Sequence, residues 1–338
     1  MKKLLLIISF LSTFILIAQD KEKDNGKSKK IKTISELTKS SKKIEGLFII
    51  YQDTISGELK MEIGNDQLNQ DYIYFSQVAD GVTEAGSFRG AYGSDVIFHI
   101  KKYFDKIEMV APNTNFYFDP NNPLSRSQEA NMSHAVISSN KILAEDKKKG
   151  SFLINVNNLF LSETLSRVKP PKRPGASPNR FSLGSFDKGK SKILEINNYP
   201  KNTNLKTEYV FKNPNVLNSG SEAVTDGRYV SIQLFHSLMS MPDEGYEPRY
   251  DDPRVGYFLN YVNDMTETGT TNYRDMINRW RLQKKDPDQY ISEPIKPITW
   301  WIENSTPMEW RETIRDGVLE WNKSFEKAGF KNALVVKV

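Results

Sequence analysis

Residues 294–338 read PIKPITWWIENSTPMEWRETIRDGVLEWNKSFEKAGFKNALVVKV. Trp310, Ile314, Val318, Trp321, Phe325 and Ala328 recur at steps of three and four, which at 3.6 residues per turn keeps them on one narrow stripe. Arg311, Glu312, Arg315, Asp316, Lys323, Glu326 and Lys327 fall on the other side. Thr306, Pro307 and Glu309 carry the signature of a capping box with proline at the first helical position, and Gly329 is placed to end the helix in a left-handed conformation. Before the helix, Ile298, Trp300 and Ile302 alternate with Thr299, Trp301 and Glu303. After it, Ala333 to Val338 is a nearly continuous apolar run. The pattern predicts strand, helix, strand, with the two strands parallel.

Such a unit does not stand alone. A parallel pair covered by one helix leaves an edge and a face open, so the expectation is a truncated domain whose remaining strands follow Val338. The alternative is that the unit completes a sheet begun earlier in the chain.

Upstream, the pattern is short strands. Leu47 to Tyr51, Leu59 to Ile63 and Tyr72 to Gln77 alternate or run apolar between turn residues, predicting a small β-meander over 44–85. Strands follow around Val96 to Ile100, Ile107 to Ala111, Asn115 to Phe118, Phe152 to Leu161, Ile193 to Ile196, Leu205 to Phe211, Arg228 to Leu238 and Asn272 to Leu282, with Ser127 to Ser138 read as helical. They predict a β-rich region over 86–290. A basic, proline-rich stretch beginning at Lys169 reads as an exposed loop. The fold class expected is therefore α+β: antiparallel β-rich domains, then the strand, helix, strand unit over 291–338.

The amino terminus carries an address. Lys2 and Lys3 precede an apolar run from Leu4 to Ala18, the plan of a signal peptide over 1–18 cleaved after Ala18, so a secreted or periplasmic chain is expected with no membrane span after signal removal. The run falls short of the ~20 residues that cross a bilayer, though an uncleaved anchor is the other reading. The lysine-rich segment 19–43 reads as a disordered leader, and no nucleic-acid partner is expected from a secreted tail without interleaved aromatics. With 338 residues and 38% hydrophobic content the chain can build real cores. It has no cysteine, which excludes disulfides, thiolate metal ligands and a cysteine nucleophile.

Catalytic motifs are sparse. None of His99, His134 and His236 is followed by glutamate, so H-E-x-x-H is missing, as are G-x-S-x-G, the P-loop and the dinucleotide-binding glycines. His236 shares parity with Val230, Ile232, Leu234 and Leu238, which marks it as a structural histidine in the core, bonded to a backbone carbonyl; a ligand or switch role is the alternative. Asp251 and Asp252 lie beside Arg249 and Arg254, where self-pairing competes with a role in holding a cation.

Gly46-Leu47-Phe48, Asn155 to Leu161, Asp252-Pro253-Arg254-Val255-Gly256-Tyr257-Phe258, Arg279-Trp280-Arg281-Leu282, and Thr306-Pro307 through Trp310, Trp321 and Ala328-Gly329-Phe330 resemble the N-terminal part of the large secreted bacterial zinc-dependent metalloproteases related to the metzincins. The resemblance covers about Ile44 to Val338. It implies two β-rich domains of unknown function before a metzincin-like α/β catalytic domain, with the zinc-binding helix after the strand, helix, strand unit. Zinc and a peptide or protein substrate are thus expected of the complete protein, while this chain supplies no catalytic or metal residue and binds no zinc. Metzincin precursors can be silenced by a thiol or a carboxylate on the zinc; without cysteine, Asp251 or Asp252 would be the regulatory candidates. The competing expectation is a stand-alone secreted β-rich binding module for a glycan or protein, suggested by aromatic loops such as Phe116-Tyr117-Phe118.

Overall fold

The computed structural model describes residues 32–169, 174, 175, 177, 179–243 and 245–338. The expected signal peptide, most of the leader and part of the proline-rich loop lie outside the described residues. In chain order the elements are α1 (Ile34–Leu37), β1 (Ser41–Ile44), β2 (Ile49–Asp53), β3 (Leu59–Gly64), β4 (Asp71–Asp80), β5 (Tyr92–Tyr103), β6 (Lys106–Ala111) and β7 (Phe116–Tyr117). Next come β8 (Ala135–Asp146), β9 (Ser151–Asn155), α2 (Asn157–Phe160), β10 (Ser185–Phe186), β11 (Lys192–Tyr199), β12 (Asn202–Lys212) and β13 (Tyr229–Ser240). The chain ends with β14 (Leu259–Asp264), β15 (Tyr273–Ile277), β16 (Ile298–Trp301), α3 (Met308–Leu319), α4 (Asn322–Lys327) and β17 (Leu334–Lys337). These form two compact units, the first up to Ala111 with Ala135–Met241, the second Pro112–His134 with Pro242–Val338.

The first unit is one 12-stranded sheet in the order β1-β2-β3-β9-β8-β6-β5-β4-β13-β12-β10, with β11 also paired to β12. Every pairing in it is antiparallel. Register shifts interrupt β4–β5, β4–β13, β6–β8, β8–β9 and β11–β12. Bulges of this kind bend a strand and strengthen its twist, which lets so wide a sheet curl on itself. The curl brings the first hairpin against the last strands. The Leu47 amide donates to the Tyr199 carbonyl at 2.7 Å, and the Asn198 side-chain amide donates to the carbonyls of Ile44 and Phe48. Inside lie Phe48, Leu59, Phe98, Ile107, Phe160 and Leu205, all essentially without exposure.

Several expectations are corrected here. The 44–85 stretch is no separate module: β3 pairs β9, and β4 sits between β5 and β13, because a short meander leaves both its edge strands in need of backbone partners. The leader reading fails after residue 32, where Thr33 and Glu36 close a capping box around α1 and Ile34 is buried against Tyr51, Ala144 and Leu153. Ser127 to Ser138 is not helical; a short 3₁₀ turn ends at Ser127, and β8 begins at Ala135 to complete the edge of β6. The strand at Phe152 stops at Asn155, whose side chain accepts the Asn157 amide and turns the chain into α2.

The second unit holds a three-stranded sheet, β15-β14-β7, and the pair β16-β17. The latter is parallel, with Ile298, Thr299, Trp300 and Trp301 opposite Leu334, Val335, Val336 and Lys337. The capping box at Thr306 does not form. Its amide donates to the Glu303 carbonyl, its own carbonyl is taken by the Arg311 guanidinium at 2.9 Å, and the helix starts after Pro307 with no side-chain cap. Nor is the helix continuous. Trp321 and Ser324 bond three residues back, a tighter turn that separates α3 from α4. Asn322 at the break explains it, since its side chain both accepts from the Leu334 amide and donates to the Leu334 carbonyl, pinning the helices to β17. Gly329 follows with φ +91, the conformation that ends a helix without strain.

Candidate functional site

The strand, helix, strand unit leaves a groove of about 480 Å³ lined by Trp280, Ile298, Trp300, Ile314, Val318 and Phe325, with Gly317, Trp321 and Leu334 completing it. Periodicity places these side chains together: Ile298 and Trp300 share one face of β16, and Ile314 and Val318 one stripe of α3. Only Ile298, Ala333 and Leu334 are buried at its base. Trp300 stays 51% exposed, Trp310 58% and Trp321 64%, so the helical stripe is largely uncovered. Trp280 is the member that helical and strand spacing did not connect to this face, because it arrives from a segment outside the regular elements.

Asp251 and Asp252 do not line this groove, and they do different things. Asp252 is ion-paired with Arg254 at 2.5 Å and accepts from its backbone amide, contacts that hold its carboxyl below the usual range. Asp251 gives its amide to the Asp275 carbonyl at 2.9 Å, and one carboxylate oxygen of each aspartate is enclosed without a hydrogen-bond partner. Burial first, and the Asp251 charge second, raise the Asp275 carboxyl. The stronger ionic feature of this unit is Asp264. Burial pushes its carboxyl up, but hydrogen bonds from Thr266 and Arg274 outweigh that and bring it down to about 2. Arg274 in turn stacks 3.7 Å over the Tyr117 ring and donates to the Tyr250 hydroxyl. Tyr117 and Phe116 are thereby half-buried in a strand beside Asn263 and Asp264, not displayed on an aromatic loop. Asp264→Ala should cost this sheet about 1.5–3 kcal/mol, the range for hydrogen bonds to charged groups, seen as faster hydrogen exchange across β7, β14 and β15.

His236 is fully buried inside the curled sheet. The Tyr74 hydroxyl meets Nδ1 at 2.9 Å and the Thr207 hydroxyl meets Nε2 at 3.0 Å, with the Tyr209 hydroxyl 3.4 Å from Nε2. Its partners are therefore side chains, not the backbone carbonyl expected. Ser76 faces it across the ladder and bonds Ser166, while Tyr209 donates to the carbonyls of Phe160 and Ser162. Together they form a polar belt between two apolar clusters, one around Phe98 and Leu205, the other around Phe211 and Ile232. The parity of Leu205, Thr207, Tyr209 and Phe211 was the sequence signal for this belt. Desolvation holds the imidazole down to about 3, so it is neutral at ordinary pH. His99 is half-buried near Asp71 at 3.8 Å, and His134 is exposed in the other unit.

Among the described residues no group of three or more His, Cys, Asp or Glu side chains is arranged to hold a metal ion. Nor is any described helix long and apolar enough to cross a membrane. In comparison with known proteins, the model of a domain of unknown function, DUF5117, matches residues 90–285. The match starts just before β5, so β1 to β4 lie outside it while sharing its sheet. No curated protein and no solved structure matches the chain.

Proposed function

We propose, from the premise that the chain belongs to the family of the domain of unknown function DUF5117, that it is the N-terminal part of a secreted zinc-dependent metallopeptidase. In this reading the curled sheet is an accessory domain and residues 291–338 open the peptide-hydrolysing domain. The carrying observation is the parallel pair β16-β17, with α3 and α4 laid beside it and a tryptophan-lined groove left open. Parallel strands are stable when both faces are covered and their edges paired, so the open edge and groove of this unit support reading it as part of a larger α/β sheet, as a metzincin-like domain would supply.

Zinc in such a domain polarises the scissile carbonyl and activates water. The described residues do not fit that metal, because His236 has both ring nitrogens engaged inside the core and Asp252 is committed to Arg254. No catalytic step is therefore assigned to side chains of this chain. Secretion, peptide substrate and zinc belong to the complete protein in this proposal. The test is the reading frame beyond codon 338 together with peptide hydrolysis by the full product before and after chelation. A frame without H-E-x-x-H, or hydrolysis that persists once zinc is removed, sinks the assignment.

The carboxylate-silencing idea makes a separate prediction. Asp251→Asn with Asp252→Asn should raise the basal activity of the complete protein if either aspartate occupies the zinc, and unchanged activity removes both as regulators. A second reading, a secreted module that binds a glycan, is favoured by one observation: a polar cleft lined by Asn140, Asn155, Asn157 and Asn158 with Lys188, groups suited to sugar hydroxyls. A stop codon after Val338, with a cooperatively folding product that binds oligosaccharides, would select it.

A further inference from the structure

At one end of the curled sheet an aromatic pair stands out of the surface. The β5–β6 hairpin has a two-residue loop, Phe104-Asp105, between the paired residues Tyr103 and Lys106. Phe104 adopts φ +47, a left-handed conformation normally left to glycine or asparagine, yet it is 78% exposed. Its recorded ring partner is Tyr103, 61% exposed and edge-on at 4.9 Å. Strain at a position where packing returns so little calls for a reason outside the folded chain.

The surroundings supply a charge. Lys101, Lys102 and Lys106 are exposed on the hairpin itself, and Lys141 lies opposite Lys106 on β8. The Ile142 amide donates to the Asp105 carbonyl at 2.8 Å, and β8 then runs past the hairpin tip to a turn carrying exposed Lys147, Lys148 and Lys149. Acids offset part of this: Asp105 is ion-paired with Lys141 at 4.0 Å, Glu145 is exposed on β8, and Asp146 spends one carboxylate oxygen on the backbone amides of Lys148 and Lys149. The lysines still outnumber them.

We propose that this end of the curled sheet docks on an anionic lipid surface, with Phe104 and Tyr103 entering the headgroup region and the lysines meeting the lipid phosphates. Aromatic rings favour that boundary and lysines near it are drawn to negative lipids. A soluble polyanion would use the lysines but would gain nothing from an apolar ring projecting at a strained hairpin tip. The proposal is independent of the peptidase reading.

The test is co-sedimentation of the purified full chain with phosphatidylcholine vesicles, with and without phosphatidylglycerol. The chain should be enriched on the phosphatidylglycerol vesicles and released by salt. Phe104→Gly should bind roughly tenfold more weakly, as expected for losing an interfacial ring, while unfolding at the same temperature or higher because the φ suits glycine. Reversing Lys147, Lys148 and Lys149 to glutamate should weaken binding on the order of a hundredfold. Equal sedimentation with neutral vesicles, or Phe104→Gly binding like the wild type, would overturn the proposal. So would binding of dextran sulfate alone, equal in both proteins, which would assign the lysines to a polyanionic chain.

Discussion

Asn198→Ala should destabilise the curled sheet by about 2–3 kcal/mol, Gly46→Ala by a similar amount, and the double variant by much less than the sum. The Asn198 amide nitrogen donates to the Ile44 carbonyl at 3.0 Å and the Phe48 carbonyl at 2.6 Å, and its oxygen accepts from the Thr203 hydroxyl at 2.7 Å. Thr203 passes the link on by accepting the Phe48 amide at 3.2 Å. One side chain thus ties the first hairpin to β11 and β12, and its loss removes a side-chain donor from two part-buried carbonyls. Gly46 permits this, since a Cβ there would lie 2.0 Å from the Asn198 side-chain oxygen. Alanine at 46 must expel the amide and so breaks the same bonds, which is why the effects overlap. Urea unfolding with an unchanged slope and a lower midpoint would read the loss. Fully additive effects would mean that Gly46 and Asn198 act separately.

Stability should also fall as pH drops through the range where free histidine titrates. His236 has its folded value depressed to about 3 against an ordinary 6.5, so the unfolded chain binds the proton first. The neutral ring is tolerated in both states above about pH 6.5, and below it each pH unit favours unfolding until the folded value is reached. Between pH 6 and pH 4 the loss is about 2.5 kcal/mol from this residue alone. His236→Gln should be less stable at neutral pH, because Gln does not match both hydroxyl partners, but it should lack this limb. The test is the difference between the two proteins across pH, since carboxylates contribute to both. Parallel pH curves would show that the folded histidine can take a proton, through water or rearrangement of Tyr74 and Thr207.

The β-rich antiparallel character and most strand positions were legible because alternation is a local signal. Tyr229 to Ser240 shows it well, with Val230, Ile232, Leu234, His236 and Leu238 all buried. Sheet membership was not legible, since nothing local to Leu59–Gly64 says that its free edge will pair with Ser151–Asn155. The same limit hid the partners of His236: parity places it inside, but only the curl brings Tyr74 and Thr207 to its two nitrogens. In the last unit the spacing of Ile298 to Trp301 and Leu334 to Lys337 foretold the paired strands. The capping box failed because the Thr306 amide, which the Glu309 side chain would take, is already bonded to the Glu303 carbonyl. Thr33 and Glu36 carried the same signature and formed it, in a stretch whose lysine content suggested disorder. Composition averages over a segment; a cap is decided by two side chains.

The splitting of the second unit into two stretches of chain bears on the order in which this protein can acquire structure. β7 has its partner in β14, and the Asp119 amide is held by the Thr266 hydroxyl 147 residues further on. The stretch 112–134 therefore emerges between β6 and β8 and cannot finish its own sheet until β8 to β13 have been made. Over that interval β6 and β8 can already pair with each other around it. The long loop closure makes β7–β14 a late contact, slow to form and early to open. A protease acting on the nascent or partly unfolded chain should thus cut first between Pro112 and His134, leaving two fragments still joined through the ladder of β6 and β8.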